Sequence, residues 1–109
     1  MSILQAANSE QLILINVFTV LPENQERLLE ILTHVTEAFV RHAPGFVSST
    51  LHRGLDGDKV TMYAIWESED AYAAMRGDPG PAAFLEEAMT IATFEPGRYE
   101  VARTFIGDA

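Results

Sequence analysis

The stretch of sequence that decides the fold reads Leu12-Ile13-Leu14-Ile15-Asn16-Val17-Phe18-Thr19-Val20-Leu21. It is rich in β-branched residues, contains no breaker and is followed at once by Pro22, which is typical of a β-strand. The residues that point to either face of the strand are apolar, whereas a strand with one solvated face alternates apolar and polar residues. We therefore expect both faces of this strand to be covered.

The residues after this strand predict a β-α-β-β-α-β order. Leu28, Ile31, Leu32 and Val35 recur at helical spacing, and glycines and aspartates at 54–58 predict a hairpin turn. The predicted elements are a helix over 23–42, strands over 46–53 and 59–67, a short helix capped by Ser68, a helix over 81–92 and a strand over 98–106. This order predicts an α+β, ferredoxin-like fold, an antiparallel sheet with helices on one face.

Helices on one face leave the other face of the apolar first strand uncovered. The simplest cover is a second copy of the same sheet, so we predict a two-fold homodimer, a dimeric α/β barrel. Residues 1–11 are polar and weakly patterned, and we predict a flexible N-terminal arm there. Residues 12–106 are predicted to form a single domain, as expected for 109 residues.

Composition excludes several classes of function. Seven basic residues against sixteen acidic ones give a net charge of −9, which disfavours nucleic acid and anionic membranes as partners. The absence of cysteine excludes disulfides, thiolate metal sites and a cysteine nucleophile. The sequence has no signal peptide pattern and no apolar run of membrane-spanning length, so we expect a cytoplasmic protein.

Three histidines are candidates for chemistry. His34 and His42 lie more than two turns apart on one predicted helix, which is too far for one metal ion, and no metal site is predicted. His52 lies near the end of the second strand, in the parity of Phe46. It is either a strand-end histidine satisfied by its surroundings or a functional group facing the interior.

Trp66 and Tyr72 are the aromatic candidates. Trp66 ends the third strand and Tyr72 lies in the first turns of the next helix, so their rings can line one pocket or belong to the core. Asn16 interrupts the apolar first strand, and a buried amide without partners costs about 1–3 kcal/mol. Asn16 is therefore either satisfied by neighbours or faces a cavity that holds ligand or water.

Several segments together resemble the antibiotic biosynthesis monooxygenase family, and most closely its small actinomycete polyketide-tailoring oxygenases of the anthrone type. The most specific is Tyr63-Ala64-Ile65-Trp66-Glu67-Ser68-Glu69-Asp70-Ala71-Tyr72. The others are Pro44-Gly45-Phe46-Val47-Ser48-Ser49-Thr50-Leu51-His52-Arg53, Leu55-Asp56-Gly57, Ile15-Asn16-Val17-Phe18-Thr19 and Phe94-Glu95-Pro96-Gly97-Arg98-Tyr99-Glu100-Val101.

The resemblance implies a homodimer that oxidises a polycyclic aromatic polyketide with molecular oxygen. It implies no metal and no bound cofactor, although reduced flavin stays open. Trp66, Tyr72 and His52 match family positions that line the substrate pocket, and we predict that they are the catalytic residues. The residues predicted to bind substrate are Asn16, Met62, Phe39, Phe46 and Phe84.

The sequence departs from the family at three positions. Met62 replaces a frequent asparagine, Ile65 replaces a frequent glutamine, and the second helix reads Phe84-Leu85-Glu86-Glu87 where the anthrone oxygenases carry an arginine. Alternatives therefore stay open: a binding module for an aromatic metabolite without turnover, or an isomerase or cyclase. Asn16 and Trp66 also resemble residues of haem-degrading relatives, but residues 81–92 contain no histidine to bind iron.

Overall fold

The doubly apolar strand lies inside the sheet of the computed structural model, which describes residues 11–108. The elements are β1 (Leu12–Val20), α1 (Gln25–Ala38), β2 (Phe46–Arg53), β3 (Lys59–Trp66), α2 (Glu69–Arg76), α3 (Pro79–Ala88), β4 (Ala92–Glu95) and β5 (Arg98–Tyr99). The antiparallel sheet has the order β2-β3-β1-β4, and β5 also pairs with β1. The predicted ferredoxin-like fold, with helices on one face, is confirmed.

The first helix is shorter than predicted. A three-ten turn at Pro22–Asn24 precedes α1, and a second one at Val40–His42 follows it, because the backbone departs from helical geometry at Phe39 (φ −130°). The buried stripe is as predicted, since Leu28, Ile31, Leu32 and Val35 all face the sheet side. The start of α1 is fixed to the β2–β3 hairpin, because Gln25 Nε2 donates to the carbonyl oxygens of Gly54 and Lys59, each at 3.0 Å.

Side-chain caps set where the two later helices begin. Ser68 Oγ accepts from the backbone N–H of Ala71 at 3.1 Å, as expected for the cap of α2. Asp78 Oδ1 accepts from the N–H of Gly80 at 2.9 Å and begins α3 with Pro79 at its first position. The helix predicted over 81–92 therefore begins earlier and ends earlier, at Ala88. None of the helices within residues 11–108 is long and apolar enough to cross a membrane.

The last strand begins at Arg98 as predicted, but it is only two residues long, Arg98–Tyr99, and does not extend to residue 106. The strand position beside β1 is filled instead by β4 and β5, which are separated by Pro96 and Gly97. Proline cannot donate to a ladder, so the pairing is interrupted there, and Ile15 N–H donates to Gly97 O at 3.0 Å to bridge the gap. Residues 100–108 form no regular structure, and the alternation that predicted a strand leaves Phe105 86% exposed.

The core on the helix side of the sheet is divided into two clusters. One surrounds Phe18, Leu28 and Leu32, and the other surrounds Leu14 and Trp66. Met62 contacts both clusters, and its partner across the sheet is Asn16. The predicted arm over residues 1–11 lies outside the described residues except for Gln11, and the single domain over 12–106 stays a prediction.

Two glycines with positive φ provide a test of how closely β2 must approach α2. Gly45 (φ +86°) precedes β2, and a Cβ built there would lie 2.4 Å from Cβ of Ala71 on α2. Gly57 (φ +91°) lies in the hairpin, where a Cβ would meet only Cβ of Pro22 at 3.7 Å. Gly57→Ala therefore adds only backbone strain, whereas Gly45→Ala adds strain and a clash.

We expect Gly57→Ala to lower the free energy of unfolding by about 1–2 kcal/mol and Gly45→Ala by about 3 kcal/mol or more, measured by urea unfolding. The added change Ala71→Gly should recover the difference between the two variants. Equal losses for Gly45→Ala and Gly57→Ala would show that the packing of Gly45 on α2 contributes nothing.

Candidate active site

A cavity of about 450 Å³ lies between the sheet and the three helices, where the core divides. This volume is in the range of pockets that hold drug-sized ligands. Its apolar lining consists mainly of Leu14, Phe18, Val35, Val40, Phe46, Met62, Ala64, Trp66, Met75, Leu85, Met89 and Phe94. The polar side chains in the lining are those of Asn16, Thr36, Ser49, Tyr72, Arg76 and Glu86.

Three aromatic rings form one wall of the cavity. Trp66, only 1% exposed, ends β3, and its ring meets that of Phe46 edge-on with centroids 5.3 Å apart. Its other neighbour is the ring of Tyr72 on α2, at 5.8 Å and an interplanar angle of 62°. Both arrangements are favoured by the quadrupoles of the rings. Since the Ser68 cap begins α2 directly after β3, the sequence itself brings Tyr72 beside Trp66.

The floor of the cavity carries one polar group without a partner. Asn16 is 8% exposed, and its Oδ1 has no hydrogen-bond partner among the described residues. An unsatisfied buried acceptor costs about 1–3 kcal/mol, so this oxygen requires a donor from a bound molecule or from water in the cavity. Its position in β1 places it on the helix-facing side together with Leu14 and Phe18. A hydroxyl or amide donor on a bound molecule would satisfy this oxygen.

The mouth of the cavity carries a tyrosine–arginine pair. Arg76 Nη1 donates to the hydroxyl oxygen of Tyr72 at 3.1 Å, one helical turn away on α2. No acceptor for the Tyr72 hydroxyl proton is found within residues 11–108, so this group can donate to an oxygen of a ligand. Sequence analysis did not assign Arg76 or Glu86 to the pocket, although the four-residue step from Tyr72 to Arg76 is a signal that could have identified Arg76.

The prediction that His52 faces the pocket does not agree with the structure. A β-bulge shifts the register between Phe46 and Ser48, so that Phe46 lies opposite Trp66 while His52 lies opposite Thr61. The extra residue reverses the parity of the strand beyond it. His52 is therefore exposed on the sheet face away from the helices. Ser49 lines the cavity, and His52 does not.

Two further predicted binding residues lie elsewhere. Phe39 and Phe84 pack on each other between α1 and α3 with ring centroids 5.8 Å apart, and neither lines the cavity. Their apolar spacing is satisfied by helix–helix packing, where Phe84 also stacks on His34 at 4.9 Å. The cavity thus brings together Asn16, Met62, Phe46, Trp66 and Tyr72 and leaves out His52, Phe39 and Phe84. Within residues 11–108, no three histidine or carboxylate side chains converge to hold a metal ion.

Comparisons with known proteins identify a family for this chain. Residues 11–87 match the family model described as antibiotic biosynthesis monooxygenase. The chain is 41% identical over 92 residues to tetracenomycin-F1 monooxygenase from Streptomyces glaucescens, a match that covers 84% of this chain and 82% of the relative.

Two solved structures are similar over most of their length. SnoaB from Streptomyces nogalater, described as a cofactor-independent oxygenase, is 25% identical with a TM-score of 0.77, covering 88% of this chain and 97% of SnoaB. The monooxygenase from ActVA-Orf6 of Streptomyces coelicolor was solved with the ligand nanaomycin D. It is 28% identical with a TM-score of 0.79, and the match covers 91% of this chain and 94% of that monooxygenase.

The unpartnered amide of Asn16 predicts a stability gain on substitution. Asn16→Leu removes the unsatisfied oxygen at similar volume, and we expect it to raise the free energy of unfolding by about 1 kcal/mol in urea unfolding. Thr36→Val is the matched control, because Thr36 also lines the cavity but its Oγ1 already donates to Leu32 O at 2.7 Å. That variant should bring no gain. A loss of stability in Asn16→Leu would mean that the amide is already hydrogen-bonded when no ligand is bound.

Proposed function

Because the chain belongs to the antibiotic biosynthesis monooxygenase family, we propose that this monooxygenase tailors a polycyclic aromatic polyketide, using molecular oxygen and no bound cofactor. The observation that carries the proposal is a largely apolar cavity with an aromatic wall of Trp66 and Tyr72 and one unpartnered acceptor, Asn16. Flat aromatic rings fit such a cavity, while the few polar groups can orient their oxygen atoms.

The described relatives support the proposed substrate class and the absence of a cofactor. SnoaB is described as a cofactor-independent oxygenase, and the ActVA-Orf6 enzyme was solved with a small aromatic ligand. Tetracenomycin-F1 monooxygenase has the highest identity to this chain of these three proteins. We carry these properties over to this chain as a proposal, since its own cavity has the size and apolar character that they require.

In the proposed reaction the substrate supplies all of the electrons. An anthrone loses an acidic C–H proton to water, the resulting carbanion reduces O2 with formation of a C–O bond, and the peroxide anion takes a proton back from water to give a substrate hydroperoxide. Loss of water then leaves a carbonyl, so that anthrone plus O2 gives anthraquinone plus H2O. The two C–H bonds of this carbon supply four electrons in all, which reduce one oxygen atom of O2 to the new carbonyl oxygen and the other to water.

The protein contributes orientation and charge stabilisation. Trp66 and Phe46 hold the aromatic rings, and the hydroxyl of Tyr72 donates to the oxygen on which the enolate charge develops. Asn16 Oδ1 accepts from a hydroxyl of the substrate. Met62, opposite Asn16 in the sheet, adds an apolar contact and supplies no proton-transfer group. His52 has no part in this proposal because it lies on the other face of the sheet.

The proposal predicts oxygen consumption by the purified protein with anthrone in air, without added metal or flavin. Trp66→Phe and Tyr72→Phe should each lower kcat/KM about tenfold or more, because each removes a contact to the reacting rings or oxygen. Tyr99→Phe is the matched control, since Tyr99 is 53% exposed and does not line the cavity. His52→Gln should also retain activity.

Other outcomes separate the remaining functions. Binding of the anthrone without oxygen uptake, repeated with reduced flavin and still without uptake, would contradict the monooxygenase proposal and favour a binding module. A product formed equally well without oxygen would favour an isomerase or cyclase. Full activity in the double variant Trp66→Phe/Tyr72→Phe would place the reaction outside this cavity.

We also propose that the enzyme is a homodimer whose second copy covers the sheet face away from the helices. Ile15 and Val17 of β1 lie partly exposed on that face, and Phe105 and Ile106 are 86% and 76% exposed. Apolar groups so exposed are expected to be covered by an interface. Light scattering should give twice the chain mass of 12.0 kDa, and Phe105→Asp/Ile106→Asp should weaken the dimer. A wild-type monomer at micromolar concentration would contradict this.

A further inference from the structure

Arg76 is a cation at the cavity mouth that no carboxylate of the described protein neutralises. Arg27, Arg53, Lys59 and Arg98 each form an ion pair with an acidic side chain. Within residues 11–108, the side chain of Arg76 forms a hydrogen bond and a cation–π contact with Tyr72 and no ion pair. The same side chain lines the cavity.

Resting on the proposed function, we infer that Arg76 binds an anionic oxygen of the substrate and thereby selects polycyclic aromatics that carry a carboxylate or phenolate. The anionic group lies at the mouth, and the neutral rings lie along the aromatic wall. Asn16, on the floor, accepts from a hydroxyl of the same molecule. The cavity therefore discriminates by charge at its mouth and by hydrogen bonding on its floor.

The guanidinium is held in place by a succession of aromatic contacts. Arg76 donates to the hydroxyl of Tyr72, and its Cζ lies 6.0 Å from the centroid of that ring. The Tyr72 ring is fixed against Trp66, which in turn packs on Phe46. Only one N–H of the guanidinium is used in this arrangement. The remaining N–H groups can form the paired hydrogen bonds that guanidinium makes with carboxylates.

The charges around the cavity favour one orientation of an acidic ligand. The chain carries a net charge of −9, so its overall field repels anions. Within the lining, Glu86 on α3 is negative and Arg76 on α2 is positive. An anionic group is repelled from the Glu86 side and attracted to the Arg76 side. Removal of the two charges should therefore change affinity for an anionic ligand in opposite directions.

A purely structural role for Arg76 predicts a different result. A cation in the last turn of α2 also interacts favourably with the helix dipole. That interaction stabilises the helix and is indifferent to the charge of a ligand. The two roles are separated by comparing a charged probe with a neutral probe of the same shape.

The test uses Trp66, the single tryptophan of the chain, as a fluorescence reporter inside the cavity. The probes are anthraquinone-2-carboxylate and its neutral carboxamide. Arg76→Gln should weaken carboxylate binding about tenfold and leave carboxamide binding within about twofold, because a charge-assisted hydrogen bond is lost. Arg76→Lys should retain part of the preference, and Glu86→Gln should strengthen carboxylate binding.

Arg41→Gln is the matched control, because Arg41 also has no carboxylate partner among the described residues but does not line the cavity. Equal losses for both probes in Arg76→Gln, or an equal loss in Arg41→Gln, would overturn the inference. Oxygen uptake is measured separately with anthrone. Uptake without charge preference contradicts only the role of Arg76, and charge preference without uptake contradicts only the proposed oxygenase.

Discussion

The pairing of β1 on both of its edges is the constraint on which the rest of the structure depends. It pairs with β3 over most of its length and with β4 and β5 on its other edge, so its register cannot slip without breaking both ladders. This fixes Asn16 on the side that faces the helices. Since a sheet residue cannot turn to the opposite face, an amide is held in an apolar interior, and the core is divided around it.

Much of the fold could be predicted from the sequence because local signals and tertiary packing agree. The apolar stripe of α1, the Ser68 cap and the hairpin at 54–58 all lie where their residue types predict them. The prediction was wrong for the length of the last strand, where alternating apolar residues suggested pairing over 98–106 and only Arg98–Tyr99 pair. Pro96 and Gly97 lie in the middle of the chain segment that pairs with β1, and not before it as predicted. A single proline does not reveal whether the residues before it or after it form the strand.

The site was predicted where it depends on sequence neighbours and was missed where it depends on register. Trp66 and Tyr72 meet because one element begins directly after the other, which can be read from the chain. The position of His52 depends on a bulge that has no clear signal in residues 46–53, and one extra residue reverses every later side chain. Phe39 and Phe84 were misassigned because aromatic residues at helical spacing serve helix packing as readily as a pocket.

The bulge lies in β2, the edge strand of the sheet as described, and this position has an evolutionary consequence. A residue gained or lost at an edge disturbs one ladder only, so the other strands and the helices can stay in place. Such an indel would turn the β2 side chains beyond the bulge to the opposite face, so that chain neighbours replace Ser49 in the cavity lining and Leu51 in the core in one step. Substrate range in this fold can therefore change by insertion or deletion as well as by substitution of individual lining residues.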